Sequence, residues 1–234
     1  MLEVKNLWVS YLGLPVIRDI SFKVEEGRMV SILGSNGAGK STILKTVSGL
    51  LEPLRGEIFF CGKRIDRLPA YEITRRGISH IPEGRRIFGK LTVLENLLVG
   101  AHTRTSNGEV EETLQEVFQL FPILEERKHQ MGETLSGGQQ QMLAIARGLM
   151  SKPKLIMLDE PSLGLMPSLS EKVISVLKTI SFRGTTILLV EQKVRDALAL
   201  SDWAYVLQTG AMVLEGKGAD LLQSDLVRKA YLGL

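Results

Sequence analysis

The sequence predicts an α/β fold with a parallel sheet at its centre, an antiparallel β segment ahead of it and a helical segment inserted into it. Three observations predict this. A short apolar stretch, Arg28 to Leu33, runs into a glycine-rich loop, Gly34 to Thr42, and then into a segment where Ile43, Leu44, Val47 and Leu50 recur at helical spacing. A second apolar stretch, Leu155 to Leu158, stops at the acidic pair Asp159-Glu160, as a buried parallel strand does when carboxylates sit at its C-terminal end. Between the two, residues 84–151 are mostly helical in pattern, whereas both flanks mix strand and helix signals. The expectation is one domain over residues 1–234. Its α/β core and β subdomain would take 1–83 and 152–234, and its helical subdomain 84–151.

In chain order, residues 2–24 read as β structure, from Val4, the run Leu7 to Tyr11 and the alternation Ile20, Phe22, Val24, with a break at Gly13-Leu14-Pro15. Glu25-Glu26-Gly27 turns into the strand before the glycine loop. After the helix over 43–50, Glu52 to Gly56 is a turn and Glu57 to Cys61 a strand. Pro69 to Arg76 suggests a short helix stopped by Gly77, and Ile78 to Ile81 a strand ended by Pro82-Glu83-Gly84. Helical patterns cover 92–100, 110–124 and 140–150, the second placing Val110, Leu114, Val117, Phe118 and Phe121 on one face. A helix over 169–180, a strand over 185–190, a helix over 194–200, a hairpin around Thr209-Gly210 and a helical tail over 219–232 complete the chain.

The stretch Gly34-Ser35-Asn36-Gly37-Ala38-Gly39-Lys40-Ser41-Thr42 fits the phosphate-loop pattern, Gly, four residues, then Gly-Lys-Ser/Thr. Strand, glycine loop and helix is the context that pattern needs. The glycines let backbone N–H groups wrap a polyphosphate, and the helix N-terminus adds positive dipole and unpaired donors. Lys40 would reach the outer phosphates and the Ser41 hydroxyl would ligate Mg²⁺. The chain is therefore expected to bind a nucleoside triphosphate.

Asp159, at the end of its strand, is placed to hold the Mg²⁺ shell and Glu160 to polarise an attacking water; the bland alternative is an acidic strand terminus entering the Pro161 turn. Leu135-Ser136-Gly137-Gly138-Gln139 precedes a helical run carrying Met142, Leu143, Ala146 and Leu149. Ser136 is either an ordinary N-cap beside permissive glycines or part of a second anion site at a helix start. One phosphate loop and two such helix starts would fit if the second faced a nucleotide held by another subunit. Gln192, after the late strand, is a candidate γ-phosphate sensor. Tyr11 offers an aromatic face to a nucleobase or simply packs its strand.

Composition narrows the classes. A formal net charge of +3 with scattered Lys and Arg is too small to argue for a nucleic-acid partner. The lone Cys61 excludes an internal disulfide, and His80, His102 and His129 are too far apart to suggest zinc. Charges at Glu3 and Lys5 argue against a signal peptide, and no apolar run is long enough to span a bilayer, so any membrane association is expected to be peripheral.

These motifs, in this order and over essentially the whole chain, resemble the ATP-binding subunits of ABC transporters. The resemblance implies Tyr11 as the adenine-stacking aromatic, Gly34 to Thr42 as the Walker A loop, and Ser136, Gly137 and Gly138 with Gln139 as the signature loop meeting the opposing subunit's γ-phosphate. It implies Asp159 as the Walker B aspartate and Glu160 as the catalytic glutamate, with ATP and Mg²⁺ bound. Three positions depart from the general pattern: Glu83 stands where glutamine is usual, Gln192 where histidine is usual, and Met166 where an aspartate is usual. Glu83 retains the capacity to coordinate Mg²⁺ or water; Gln192 donates a hydrogen bond but cannot become cationic.

Pro82 to Phe88, Asp159 to Leu165, Val190-Glu191-Gln192 and Arg228 to Gly233 look like the subfamily serving branched-chain amino acid importers, with importers of urea or other amides close in vocabulary. The resemblance implies integral membrane permease subunits and a second ATP-binding subunit, identical or paralogous, as partners. A substrate-binding protein would act indirectly, and the chain would sit in the cytoplasm, peripheral on the inner membrane face. ABC ATPases of DNA repair need coiled-coil arms or zinc inserts, and ribosome-associated ones tandem cassettes with a charged linker; the sequence shows none of these.

Overall fold

The computed structural model describes residues 1–224 and Val227. Strands β1 (Leu2–Tyr11) and β2 (Leu14–Val24) form an antiparallel hairpin whose inward positions, among them Leu7, Val9, Ile17 and Ile20, are buried. Then come β3 (Met29–Leu33), the glycine loop and α1 (Lys40–Val47). The helix begins three residues before its apolar period does. Its first turn, Lys40 to Thr42, carries site residues and not core ones, so periodicity alone does not mark it.

The chain continues through β4 (Arg55–Phe60), β5 (Lys63–Arg64), α2 (Ala70–Arg75) and β6 (Ile78–Ile81). Next are α3 (Val93–Gly100), α4 (Asn107–Leu120), α5 (Pro122–Glu126), a 3-10 turn at Gly132–Thr134 and α6 (Gly137–Leu149). The single helix expected over 110–124 is thus two. Pro122 lacks an N–H and disfavours helical geometry in the residue before it, so Phe121 leaves the helix (φ −132°) and Pro122 starts a new one. The remaining elements are β7 (Leu155–Asp159), α7 (Pro167–Phe182), β8 (Thr186–Glu191), α8 (Val194–Leu198), β9 (Trp203–Gln208), β10 (Ala211–Gly216) and α9 (Gly218–Gln223). The expected tail helix reaches Gln223; apart from Ser224 and Val227 the rest of the expected helix, with the motif Arg228 to Gly233, lies outside the described residues.

Two sheets result. Four strands run in the order β2-β1-β4-β5 and six in the order β10-β9-β3-β8-β7-β6. The larger sheet is parallel except for β10. Its central strands are buried on both faces, which is why Leu155 to Leu158 and Thr186 to Val190 read as continuous apolar runs. Alternate side chains serve two cores. Val30, Ile32, Leu155 and Met157 pack toward the antiparallel sheet and α1. Met29, Leu33, Ile156 and Leu158 pack toward α3 to α8. The arrangement carries the C-terminal ends of β3, β7 and β8 to one edge of the sheet, beside α1.

Candidate active site

The loop leaving β3 reaches α1 through Gly39, whose φ of 107° is left-handed. A side chain there would also place its Cβ 2.5 Å from Ile17 Cδ1 of the hairpin, so glycine is required twice over. No side chain caps this helix start, which leaves the first-turn N–H groups available to a ligand. In front of them lies a cavity of about 340 Å³ lined by Val16, Asn36, Gly37, Gly39, Lys40, Ser41, Thr42, Glu83, Glu160 and Leu163.

Lys40 is 4% exposed and its Nζ donates to the Gly34 and Ser35 carbonyls at 2.9 and 3.1 Å. It also pairs with Glu160 Oε1 at 2.9 Å, and Glu160 is itself only 8% exposed, so this is a buried ion pair. On the neighbouring residue, Ser41 Oγ donates to Asp159 Oδ1 at 3.0 Å. Consecutive residues of a strand point to opposite faces, yet Asp159 and Glu160 both reach the first turn of α1. The reason is local: β7 ends at Asp159, and Glu160 takes a left-handed φ of 46° while its N–H donates to the Val190 carbonyl at 2.9 Å.

Burial pushes the Asp159 carboxyl above the usual carboxylate range, against the pull of the Ser41 hydrogen bond, and Glu160 and Glu83 push the same way. An anion this uncomfortable is stabilised by a bound cation. The donors here, the Ser41 hydroxyl and the Asp159 carboxylate with Glu83 at the rim, are all hard oxygens of the kind Mg²⁺ takes alongside phosphate. Among the described residues no cluster of three His, Cys, Asp or Glu could hold an ion by itself.

Other residues singled out from the sequence lie elsewhere. Tyr11 stands on the hairpin, 39% exposed, and Gln192 is exposed just beyond β8; neither is among the described residues lining the cavity. Val16 lines it instead, and its sequence context gave no sign of that. Ser136 to Gln139 are also away from the cavity of their own chain. Ser136 caps α6 in a reciprocal box, its Oγ accepting from the Gln139 N–H at 3.4 Å while Gln139 Oε1 accepts from the Ser136 N–H at 3.0 Å. Gly138 has a packing reason, whereas the neighbour of Gly137 is the movable tip of a long side chain. A Cβ on Gly138 would lie 2.5 Å from Leu169 Cδ1 of α7, and one on Gly137 would meet the Arg85 guanidinium at 2.9 Å. Met166 occupies the N-cap position of α7 without a side-chain capping hydrogen bond, and the residue is 66% exposed.

The sequence motifs assign Glu191 no site role, although it ends β8 just as Asp159 ends β7. It is buried, accepts from the Ser162 N–H at 3.2 Å and so ties the turn after Glu160 to the next strand. Burial raises its pKa, and Glu160 adds to the rise. A second concavity, about 350 Å³, opens between the parallel sheet and the inserted helices, with Leu50, His80, Phe88, Val99, His102 and Arg147 among its walls.

A glycine loop opening onto an uncapped helix, with the acids of an adjacent strand held on that helix's first turn, is how proteins grip a polyphosphate, and it defines this chain as a phosphate-loop nucleotide-binding protein. The family model described as ABC transporter matches residues 17–163. The chain belongs to the ATP-binding subunits of that family, and it is an ATPase.

It is 44% identical over 233 residues to the high-affinity branched-chain amino acid transport ATP-binding protein BraG of Pseudomonas aeruginosa, covering 100% of both chains. It is 34% identical over 234 residues to the lipopolysaccharide export system ATP-binding protein LptB of Escherichia coli strain K12, covering 99% of this chain and 97% of that one. Among solved structures it matches a dimeric post-hydrolysis state of an ATP-binding cassette bound to ADP and Pi, with TM-score 0.82, 28% identity and coverage of 93% and 98%. Among the described residues no helix is long and apolar enough to cross a membrane.

Proposed function

We propose that this chain is the ATP-hydrolysing subunit of an importer of branched-chain amino acids, bound peripherally to permease subunits at the cytoplasmic face of the membrane. The observation that carries the ATPase part is the convergence of Lys40, Ser41, Asp159 and Glu160 on the first turn of α1. The substrate rests on the full-length likeness to BraG. Two nucleotide-binding subunits would clamp ATP between them, with Ser136 to Gln139 of each facing the nucleotide of the other. A substrate-binding protein would act only through the permeases.

In this reading the triphosphate enters the loop Gly34 to Thr42 and competes for the Lys40 ammonium. The Glu160 carboxylate, freed from that ion pair, orients a water in line with the γ-phosphorus. The water oxygen bonds to phosphorus as the bond to the β–γ bridging oxygen breaks, and ADP and phosphate leave. This chemistry needs positioning and charge neutralisation more than covalent help. Ser41 and Asp159, with Glu83 nearby, would hold a Mg²⁺ whose charge offsets that of the phosphates. Gln192 would sense the γ-phosphate from the end of β8, and Tyr11 would present its ring to adenine from the hairpin that also supplies Val16.

Residues 84–151 would act as a helical subdomain, and Arg85 to Val99 as the surface on which the permeases dock, over the cleft walled by Leu50, Phe88 and Val99. Because the segment follows Glu83 directly, a push on it would be felt at the γ-phosphate. The likeness to LptB favours a second reading, an ATPase subunit for another solute. Vesicles carrying the chain with its membrane partners decide between them. ATP-driven uptake of leucine, isoleucine or valine, abolished by Lys40→Ala, supports the first reading; ATP hydrolysis stimulated only by a different solute, such as an amide or a lipopolysaccharide, overturns it.

A further inference from the structure

We propose that Arg85 supplies, in trans, a positive charge to the γ-phosphate held by a second copy of this chain, a charge that Gln192 cannot provide. The inference rests on the reading above that Ser136 to Gln139 face the partner's nucleotide. The guanidinium of Arg85 lies against the start of α6, 2.9 Å from where a Cβ on Gly137 would stand, and its Nη1 donates to Gln140 Oε1 at 3.3 Å. Among the described residues no carboxylate pairs with it. A cation at the positive end of a 13-residue helix is electrostatically out of place unless an anion arrives there.

The backbone holds the side chain there at some cost. Gly84, Arg85 and Arg86 have φ of 82°, 65° and 46°, three left-handed residues in succession, two of them not glycine. Arg147 of α6 pins this turn by donating from Nη2 to the Arg86 carbonyl at 2.6 Å. Gly137 fits the same picture, since any side chain there would displace the guanidinium. At the opposite face of the sandwich, the residue expected near the γ-phosphate is Gln192, which is neutral at every pH. A guanidinium gives two parallel hydrogen bonds to phosphate oxygens and never loses its proton, so it transfers none in the reaction.

The test is complementation between two impaired variants of the full chain. Arg85→Asn is used because asparagine tolerates left-handed φ, and retention of the thermal transition and of nucleotide binding to the monomer would show it folded. Its ATPase rate is expected to fall at least about tenfold, with Arg85→Lys recovering part of the loss. Mixed with Lys40→Ala, Arg85→Asn should regain activity, because one composite site then holds an intact Lys40 and an intact Arg85 from different chains. Ser136→Glu mixed with Lys40→Ala is the control for the trans arrangement itself. Recovery in the control but not with Arg85→Asn overturns the role of Arg85. Recovery in neither mixture removes the trans sandwich, and this proposal with it.

Discussion

Lys40 and Glu160 face each other as a buried pair; in the proposed function phosphate would compete for the ammonium and release the carboxylate. Glu160→Gln keeps the shape and a hydrogen-bond acceptor for Lys40 but loses the carboxylate proposed to orient water. It should bind ATP, stop steady-state turnover and accumulate as an ATP-bound dimer; turnover near the parent rate would remove Glu160 from that role. His80, partly buried on β6 and not among the residues lining the phosphate-loop cavity, is a further ionisable group. Burial, helped by Lys45, pushes its pKa down to about 4, and its Nδ1 meets Ser48 Oγ at 3.1 Å. The sign follows from linkage. The unfolded chain takes up a proton on this ring near its ordinary pKa while the folded one does not, so stability falls as pH drops from about 6.5 toward 4. Relative to His80→Asn, the parent should lose roughly 2–3 kcal/mol between about pH 7 and 4.5 in urea titrations. Parallel loss in both proteins would mean the ring is not held neutral.

The start of α6 shows how one element reconciles a motif with packing. Gly137 and Gly138 read from the sequence as backbone bared for an anion, but Gly138 also lets α7 approach closely through Leu169. A glycine near a helix start is normally improved by alanine. Here Gly138→Ala should instead destabilise the nucleotide-free subunit by about 1–3 kcal/mol, because the methyl overlaps Leu169 Cδ1. Leu169→Ala in the same chain should recover part of that loss. A stabilised Gly138→Ala would show that the glycine serves the ligand alone. The split between α4 and α5 belongs to this scale as well: the apolar face continues across it, so periodicity predicts one helix, while Pro122 breaks the backbone beneath an unbroken core.

Taken whole, the molecule joins its phosphate-loop cavity to its cleft through the segment Glu83 to Phe88. Phe88 is 48% exposed and its ring lies under the Arg147 guanidinium, 5.0 Å from centroid to Cζ. An exposed position contributes little to folding, and an aspartate there would still face Arg147. Phe88→Asp is therefore expected to keep the thermal transition and ATP binding of the isolated subunit while abolishing capture by permease-containing membranes. A lost transition would return Phe88 to the core and withdraw the segment from docking.

The amino-acid sequence by itself determined what is local along the chain. Alternation gave the hairpin, the apolar runs gave β3, β7 and β8, and the spacing of Gly34 to Thr42 gave the phosphate loop and the helix behind it, because side-chain period and turn chemistry depend only on near neighbours. Tertiary structure alone decided who meets whom. Lys40 pairs with Glu160, Val16 and not Tyr11 lines the cavity, Glu191 is buried as a brace for the Ser162 turn, and Arg85 comes to rest on Gly137. These contacts join segments that are distant in sequence, and no local pattern encodes them. They exist because a parallel sheet brings the ends of its strands to one edge and a folded insert lays α6 against it.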